Sequence, residues 1–181
     1  MDFKILFTFL LFFGLNTQAQ EINWMSFDEA IEAQEYDQRK IVVDFYTSWC
    51  GWCKRMDKKV FSNDGIASYL NENYYAVKFN AEGNEEVNYK DQQFKNKDDD
   101  FIKSRGRKSK HPFAEYLGVN GYPALVYFDE EANLIGPIPG YKSVKELELY
   151  LKMFVNDDHK KITNAEDFQE YQANFDYEIK E

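Results

Sequence analysis

The chain has 181 residues and a formal net charge of −10. That acidity excludes a general nucleic-acid surface, which needs clustered positive charge to meet phosphates. Aromatic residues make up 18% of the chain, 16 Phe and 13 Tyr among them, which argues for a packed core over disorder.

The first segment reads MDFKILFTFLLFFGLNTQAQ. Lys4 precedes the apolar run Ile5–Phe13, and small residues at Thr17-Gln18-Ala19 close it. This is the layout of a secretory signal peptide cut after about Ala19. The apolar run is too short for a membrane span, which takes roughly 20 residues. No cysteine follows the cut to carry a lipid, and no later stretch is apolar enough to span. The expected location is therefore exported, periplasmic or otherwise extracytoplasmic, with no membrane span after cleavage. What remains, about 160 residues, suits one domain with a sizeable core.

Ser26-Phe27-Asp28-Glu29 fits a capping box, and Phe27, Ala30, Ile31 and Ala33 recur at helical spacing, predicting a helix over 26–38. IVVDFY (41–46) reads as a buried strand with one misfit carboxylate, Asp44. CKRMDKKVF (53–61) predicts a helix, and Ser62-Asn63-Asp64 caps another to about Leu70. YYAVKF (74–79) is a second strand with its own misfit charge, Lys78. Residues 82–111 are polar, weakly periodic and expected as a solvated, partly ordered insertion. They run acidic at Asp98-Asp99-Asp100 and basic through KSRGRKSK (103–110); the alternative is a docking surface for a partner or anionic lipid. FAEYLGV (113–119) predicts a short helix and PALVYFD (123–129) a third strand. Asn133 and Gly136 mark a turn before an edge segment near 138–141. Ser143 caps a helix over 144–155, with Val144, Leu147, Leu151 and Phe154 on one face. Thr163-Asn164-Ala165-Glu166 reads as a further capping box opening a helix to about Phe175. Helices interleaved with strands indicate an α/β domain over 20–156, followed by a C-terminal helical extension, 157–181, that serves as a brace.

The chain holds two cysteines, Cys50 and Cys53, placed between a strand and a helix. A bridge between them closes almost no loop, so it would add little stability. At a helix start, free N–H groups favour a thiolate on Cys50, the species that attacks disulfides, and Cys53 lies one turn along to resolve the product. Zinc is a weak alternative, because it takes four ligands and only His111 and His159 are available, without ligand-like spacing. An iron–sulfur cluster shared by two chains is a third reading, which a colourless protein excludes.

VVDFYTSWCGWCK resembles the active-site segment of the thioredoxin family, and GVNGYPALVYFD resembles its second signature. YAVKFNAE is similar to the family's middle strand, and the likeness spans roughly Ile22 to Phe154. The subgroup it is most similar to is the periplasmic C-terminal domain of transmembrane thiol:disulfide interchange reductases. The resemblance implies a thioredoxin fold, with a central mixed sheet flanked by helices. It implies Cys50 as nucleophile, Cys53 as resolving thiol and Asp44 as the buried carboxylate exchanging a proton with Cys53, with Lys78 beside it. A structural ion pair is the plainer reading of Asp44 and Lys78. Pro123 would be the family's cis-proline, and Tyr122 would offer its backbone to a peptide substrate. Trp49, Gly51 and Trp52 would complete the substrate contact, or the tryptophans would pack around the disulfide. No metal and no cofactor beyond the Cys50–Cys53 redox pair are implied. The partners would be protein thiols and disulfides, with an upstream electron donor such as a membrane thiol reductase.

The chain departs from the family at two points. Gly51-Trp52 stands where Gly-Pro is commoner, and the absence of a histidine between the cysteines tilts the reading toward reduction. Tyr122 is bulkier than usual before the proline and narrows the groove. The expected function is an exported protein-disulfide reductase. The competing reading is a thioredoxin-scaffold binding module that holds a client with little redox turnover.

Overall fold

The computed structural model describes residues 20–96 and 109–181. The expected signal peptide (1–19), the Asp98–Asp100 run and nearly all of the basic stretch 103–110 lie outside them. The chain forms α1 (Phe27–Gln34), β1 (Lys40–Tyr46), α2 (Gly51–Met56), α3 (Asp64–Asn73), β2 (Tyr74–Asn80), β3 (Val87–Tyr89), β4 (Gln92–Phe94), α4 (Pro112–Tyr116), β5 (Ala124–Phe128), β6 (Leu134–Pro139), α5 (Val144–Val155) and α6 (Ala165–Ala173). The main sheet has the order β2-β1-β5-β6, with β1 and β2 parallel and the other pairs antiparallel. This is the α/β domain that the strand and helix alternation predicts, with the mixed sheet and flanking helices that the resemblance implies.

The period-2 alternation of strands divides the core. On one face Val43, Phe45, Val77, Phe79, Val126 and Phe128 pack with α1 and α4; on the other, Val42, Ala76, Leu125 and Tyr127 meet α3 and α5. Asp44 follows Val42 by two and so belongs to the second face, the one that Met56 and Val60 of the cysteine-bearing helix also cover. Ahead of α1, Met25 bridges to Val77 in parallel, laying Trp24 beside the outer edge of β2.

Several boundaries differ from expectation. The Ser26–Glu29 capping box is present, but α1 ends at Gln34. The cysteine helix passes from α-helix into a π-helical stretch, Asp57–Phe61, rather than running regularly to its end. The last cap is shifted by one residue: Asn164 accepts the Asp167 N–H at 2.9 Å, and Asp167, not Glu166, accepts from Thr163. The turn before β6 is built by Asp129, whose carboxylate accepts from the N–H of Glu131 and of Asn133, while Gly136 lies inside the strand. Pro137 and Pro139 fit there because β6 is an edge strand.

Within 82–111, the described residues are not simply solvated. Val87, Tyr89 and Phe94 of the β3–β4 hairpin are buried, and the Phe94 ring lies 5.4 Å from Phe113 and 5.1 Å from Tyr116. His111 is fully buried: its Nδ1 accepts the Phe113 N–H at 3.1 Å, capping α4, and its Nε2–H donates to the Glu85 carbonyl at 2.7 Å. The C-terminal segment is clamped. Buried Glu148 accepts from the N–H groups of Glu178 and Ile179, and Ile179 lies where a Cβ on Gly65 would meet it at 2.7 Å.

Candidate thiol–disulfide site

β1 delivers the chain to a tight loop in which the Cys50 N–H donates to the Thr47 carbonyl at 3.1 Å. Cys50 is the N-cap of α2, with φ −69° and ψ 106°, and its Sγ accepts the Cys53 N–H at 3.0 Å. A sulfur in this position takes the place usually held by a capping oxygen. Cys50 and Cys53 are joined by a disulfide, and both are nearly covered, at 4% and 2% exposure.

Around that covered bond stand two exposed rings, Trp49 at 65% and Trp52 at 57%. The Trp49 indole N–H points at both carboxylate oxygens of Glu82, at 3.1 and 3.0 Å, and its ring meets Tyr122 edge-on at 6.2 Å. Trp52 lies 5.5 Å from Tyr141, with the Arg55 guanidinium 5.6 Å from its ring. Both rings keep more than half of their surface open to solvent. Gly51 faces open space, where an added Cβ would meet nothing within 4 Å. The Tyr122–Pro123 bond is cis, and the Pro123 carbonyl accepts the Gly140 N–H at 2.8 Å. The Trp49–Tyr122 contact brings the two sequence signatures together.

Asp44 and Lys78 are register partners across β1 and β2, and Lys78 Nζ lies 2.6 Å from Asp44 Oδ2. The carboxylate is 2% exposed, and Oδ1 has no hydrogen-bond partner among the described residues. Burial raises the Asp44 pKa; Lys78 opposes this and Asp57 reinforces it. Burial works against the Lys78 charge, but its two carboxylate neighbours outweigh it and hold the ammonium protonated beyond its ordinary range.

The sequence reading missed Asp57, which also bonds Lys78, and Glu82 and Tyr141, which hold the tryptophans. Asp57 had a signal: it follows Cys53 by one helical turn, so it shares that face. His111, considered as a metal ligand, is a neutral helix cap, and His159 packs 5.1 Å from the Phe154 ring.

A mixed sheet carrying a C-x-x-C disulfide at the head of a helix, with a buried carboxylate on the strand that leads into it, supports a thiol:disulfide oxidoreductase. The thioredoxin-like domain family matches residues 27–154, and the chain belongs to that family. In fold it is similar to a thioredoxin-fold protein from Helicobacter pylori, at 17% identity and TM-score 0.56 over 76% of this chain and 81% of that one. It is also similar to a thioredoxin from Thermus thermophilus, at 18% and 0.54 over 74% and 87%. DsbH oxidoreductase matches at 18% and 0.51 over 80% and 94%. No curated protein matches the chain. Among the described residues no helix is long and apolar enough to cross a membrane.

Proposed function

We propose that this chain is an exported protein-disulfide reductase working through Cys50 and Cys53. The observation that carries the reading is the Cys53 N–H donated to Cys50 Sγ at the helix start, since the same donor stabilises a Cys50 thiolate once the pair is reduced. That thiolate attacks one sulfur of a substrate disulfide. The substrate S–S bond breaks, and the other sulfur leaves as a thiolate that takes a proton from solvent. Asp44 then accepts the Cys53 proton, and the Cys53 sulfur attacks Cys50 Sγ. The Cys50–Cys53 bond forms as the mixed disulfide breaks, and the second substrate sulfur leaves and is protonated. Two electrons have passed from the pair to the substrate, and a donor dithiol must return them.

Trp49, Trp52 and Tyr122 serve as the contact surface for the substrate segment, which must lie directly against them to reach so covered a sulfur. The backbone of Tyr122 has no backbone hydrogen-bond partner among the described residues, which suits pairing with an extended peptide. Export is supported by the pattern of residues 1–19, and reduction by the lack of an imidazole between the cysteines.

The near-complete cover on both sulfurs favours a second reading, a binding module with slow turnover. Insulin reduction by dithiothreitol separates the two. The reductase accelerates precipitation over a Cys50→Ser, Cys53→Ser double variant and, as Cys53→Ser, accumulates covalent complexes with clients; a binding module does neither.

A further inference from the structure

Lys78 does not belong to Asp44 alone. Its ammonium lies 2.6 Å from Asp44 Oδ2 and is also bonded to Asp57 Oδ1. The rings of Trp24, Tyr46 and Phe61 surround it, with centroids 4.9, 5.3 and 4.9 Å from Nζ. Two carboxylates and three ring faces all favour the cation in this one place. The carboxylates differ in setting: Asp44 is 2% exposed and Asp57 45%. Asp57 opens onto a cavity of about 480 Å³ lined also by Glu21, Trp24, Phe61 and Lys78, and none of Trp49, Cys50, Trp52, Tyr122 or Pro123 borders it. Charge contact therefore runs from a buried acid, through one lysine, to a surface acid on the helix that carries Cys53.

We propose that Asp57 is a positioning residue that tunes Asp44: by sharing Lys78 it weakens the hold of that cation on Asp44 and so keeps Asp44 avid for the Cys53 proton. The proposal rests on the reading of Asp44 as proton acceptor. A lysine bonded to one carboxylate alone would drive that carboxylate toward permanent ionisation and make it a poor base. A second carboxylate on the same ammonium divides the attraction and adds repulsion of its own. Of the other groups near the cluster, Tyr127 from β5 lies close enough to feel the Asp44 charge, the Tyr46 ring from β1 lies over Lys78, and Glu21 lines the cavity; the reading of Asp44 as proton acceptor adds the Cys53 thiol in the reduced protein. Burial keeps Tyr127 neutral, and Lys78 stays cationic, so Asp57 is the charge that sets the balance.

The test is a carbon-13 NMR titration of the Asp44 carboxyl in the disulfide form, where neither cysteine titrates. Asp57→Asn should lower the Asp44 midpoint by about one pH unit, a tenfold loss of proton affinity, and Asp57→Glu should restore it. The acid limb of insulin reduction should move to lower pH with it. An unchanged or raised midpoint in Asp57→Asn overturns the proposal. A midpoint that falls while the activity profile stays put confirms the tuning and instead overturns Asp44 as the proton acceptor, so the two failures are distinguishable.

Discussion

Lys78 Nζ sits 2.6 Å from Asp44 Oδ2, yet the two residues depend on each other unequally. Lys78 has a second carboxylate in Asp57 and keeps 20% exposure, whereas among the described residues Asp44 has only Lys78. Removing one member of a buried pair is costly when the other is left uncompensated. Lys78→Met should therefore lower stability by about 3 kcal/mol, and Asp44→Asn by less than about 1 kcal/mol, in urea unfolding at neutral pH. The sign with pH follows from the raised Asp44 pKa. The folded state holds this proton more tightly than the unfolded chain, whose value is near 3.8. The resulting stabilisation is complete below that value and is lost as pH rises through the folded midpoint, so Asp44→Asn should gain on wild type toward neutral pH. In activity the order reverses. Asp44→Asn should slow resolution of the mixed disulfide about a hundredfold, measured by single-turnover release of substrate thiol.

Trp52 is 57% exposed, and its ring meets Tyr141 and Arg55. Its value should therefore lie in binding. Trp52→Ala should raise KM for a disulfide substrate about fivefold with kcat little changed, and should move stability by less than about 0.5 kcal/mol. An equal fall in kcat would assign the ring to the chemical step instead.

The hairpin within 82–111 is a structural element. Phe94 is 8% exposed and packs on Phe113, which is itself surrounded by Phe27, Phe45, Phe79 and Tyr89. Truncating a buried ring costs transfer energy plus the cavity left behind. Phe94→Ala should lower stability by about 3 kcal/mol. A change under about 0.5 kcal/mol would return this segment to the solvent.

His111 is held neutral by geometry: Nδ1 accepts from Phe113, and burial lowers its pKa from the ordinary 6.5. A His with a depressed folded pKa contributes stability that is present above the unfolded value and lost as pH falls through the folded one. Between about pH 7.5 and about pH 5, wild type should therefore lose about 1 kcal/mol that His111→Asn does not lose, since Asn keeps a capping acceptor without a proton to gain. Urea midpoints at the two pH values decide this.

The strands and the cysteine pair were legible because their signals are local. IVVDFY and YYAVKF are β-branched and aromatic runs, each with one misfit charge, and the family resemblance implied the pairing of Asp44 with Lys78 that the sheet register shows. The hairpin was not legible, because each strand is three residues long and the turn uses Lys90-Asp91 at φ 47° and 60° in place of a glycine. Asp57 was hidden for a different reason. On an amphipathic helix one more acid reads as solvated surface, and only the fold shows that Lys78 reaches it. Glu82 and Tyr141 likewise gain meaning from long-range contacts that no local pattern encodes.

The central claim is that Cys50 is held as the reactive thiolate by the N–H of Cys53. Alkylation of the reduced protein by iodoacetamide, followed by mass at each cysteine across a pH series, tests this most directly. Cys50 should label before Cys53, with its rate half-maximal below the roughly 8.5 of an ordinary thiol. A half-maximal point at or above that value, or Cys53 labelling first, would contradict it.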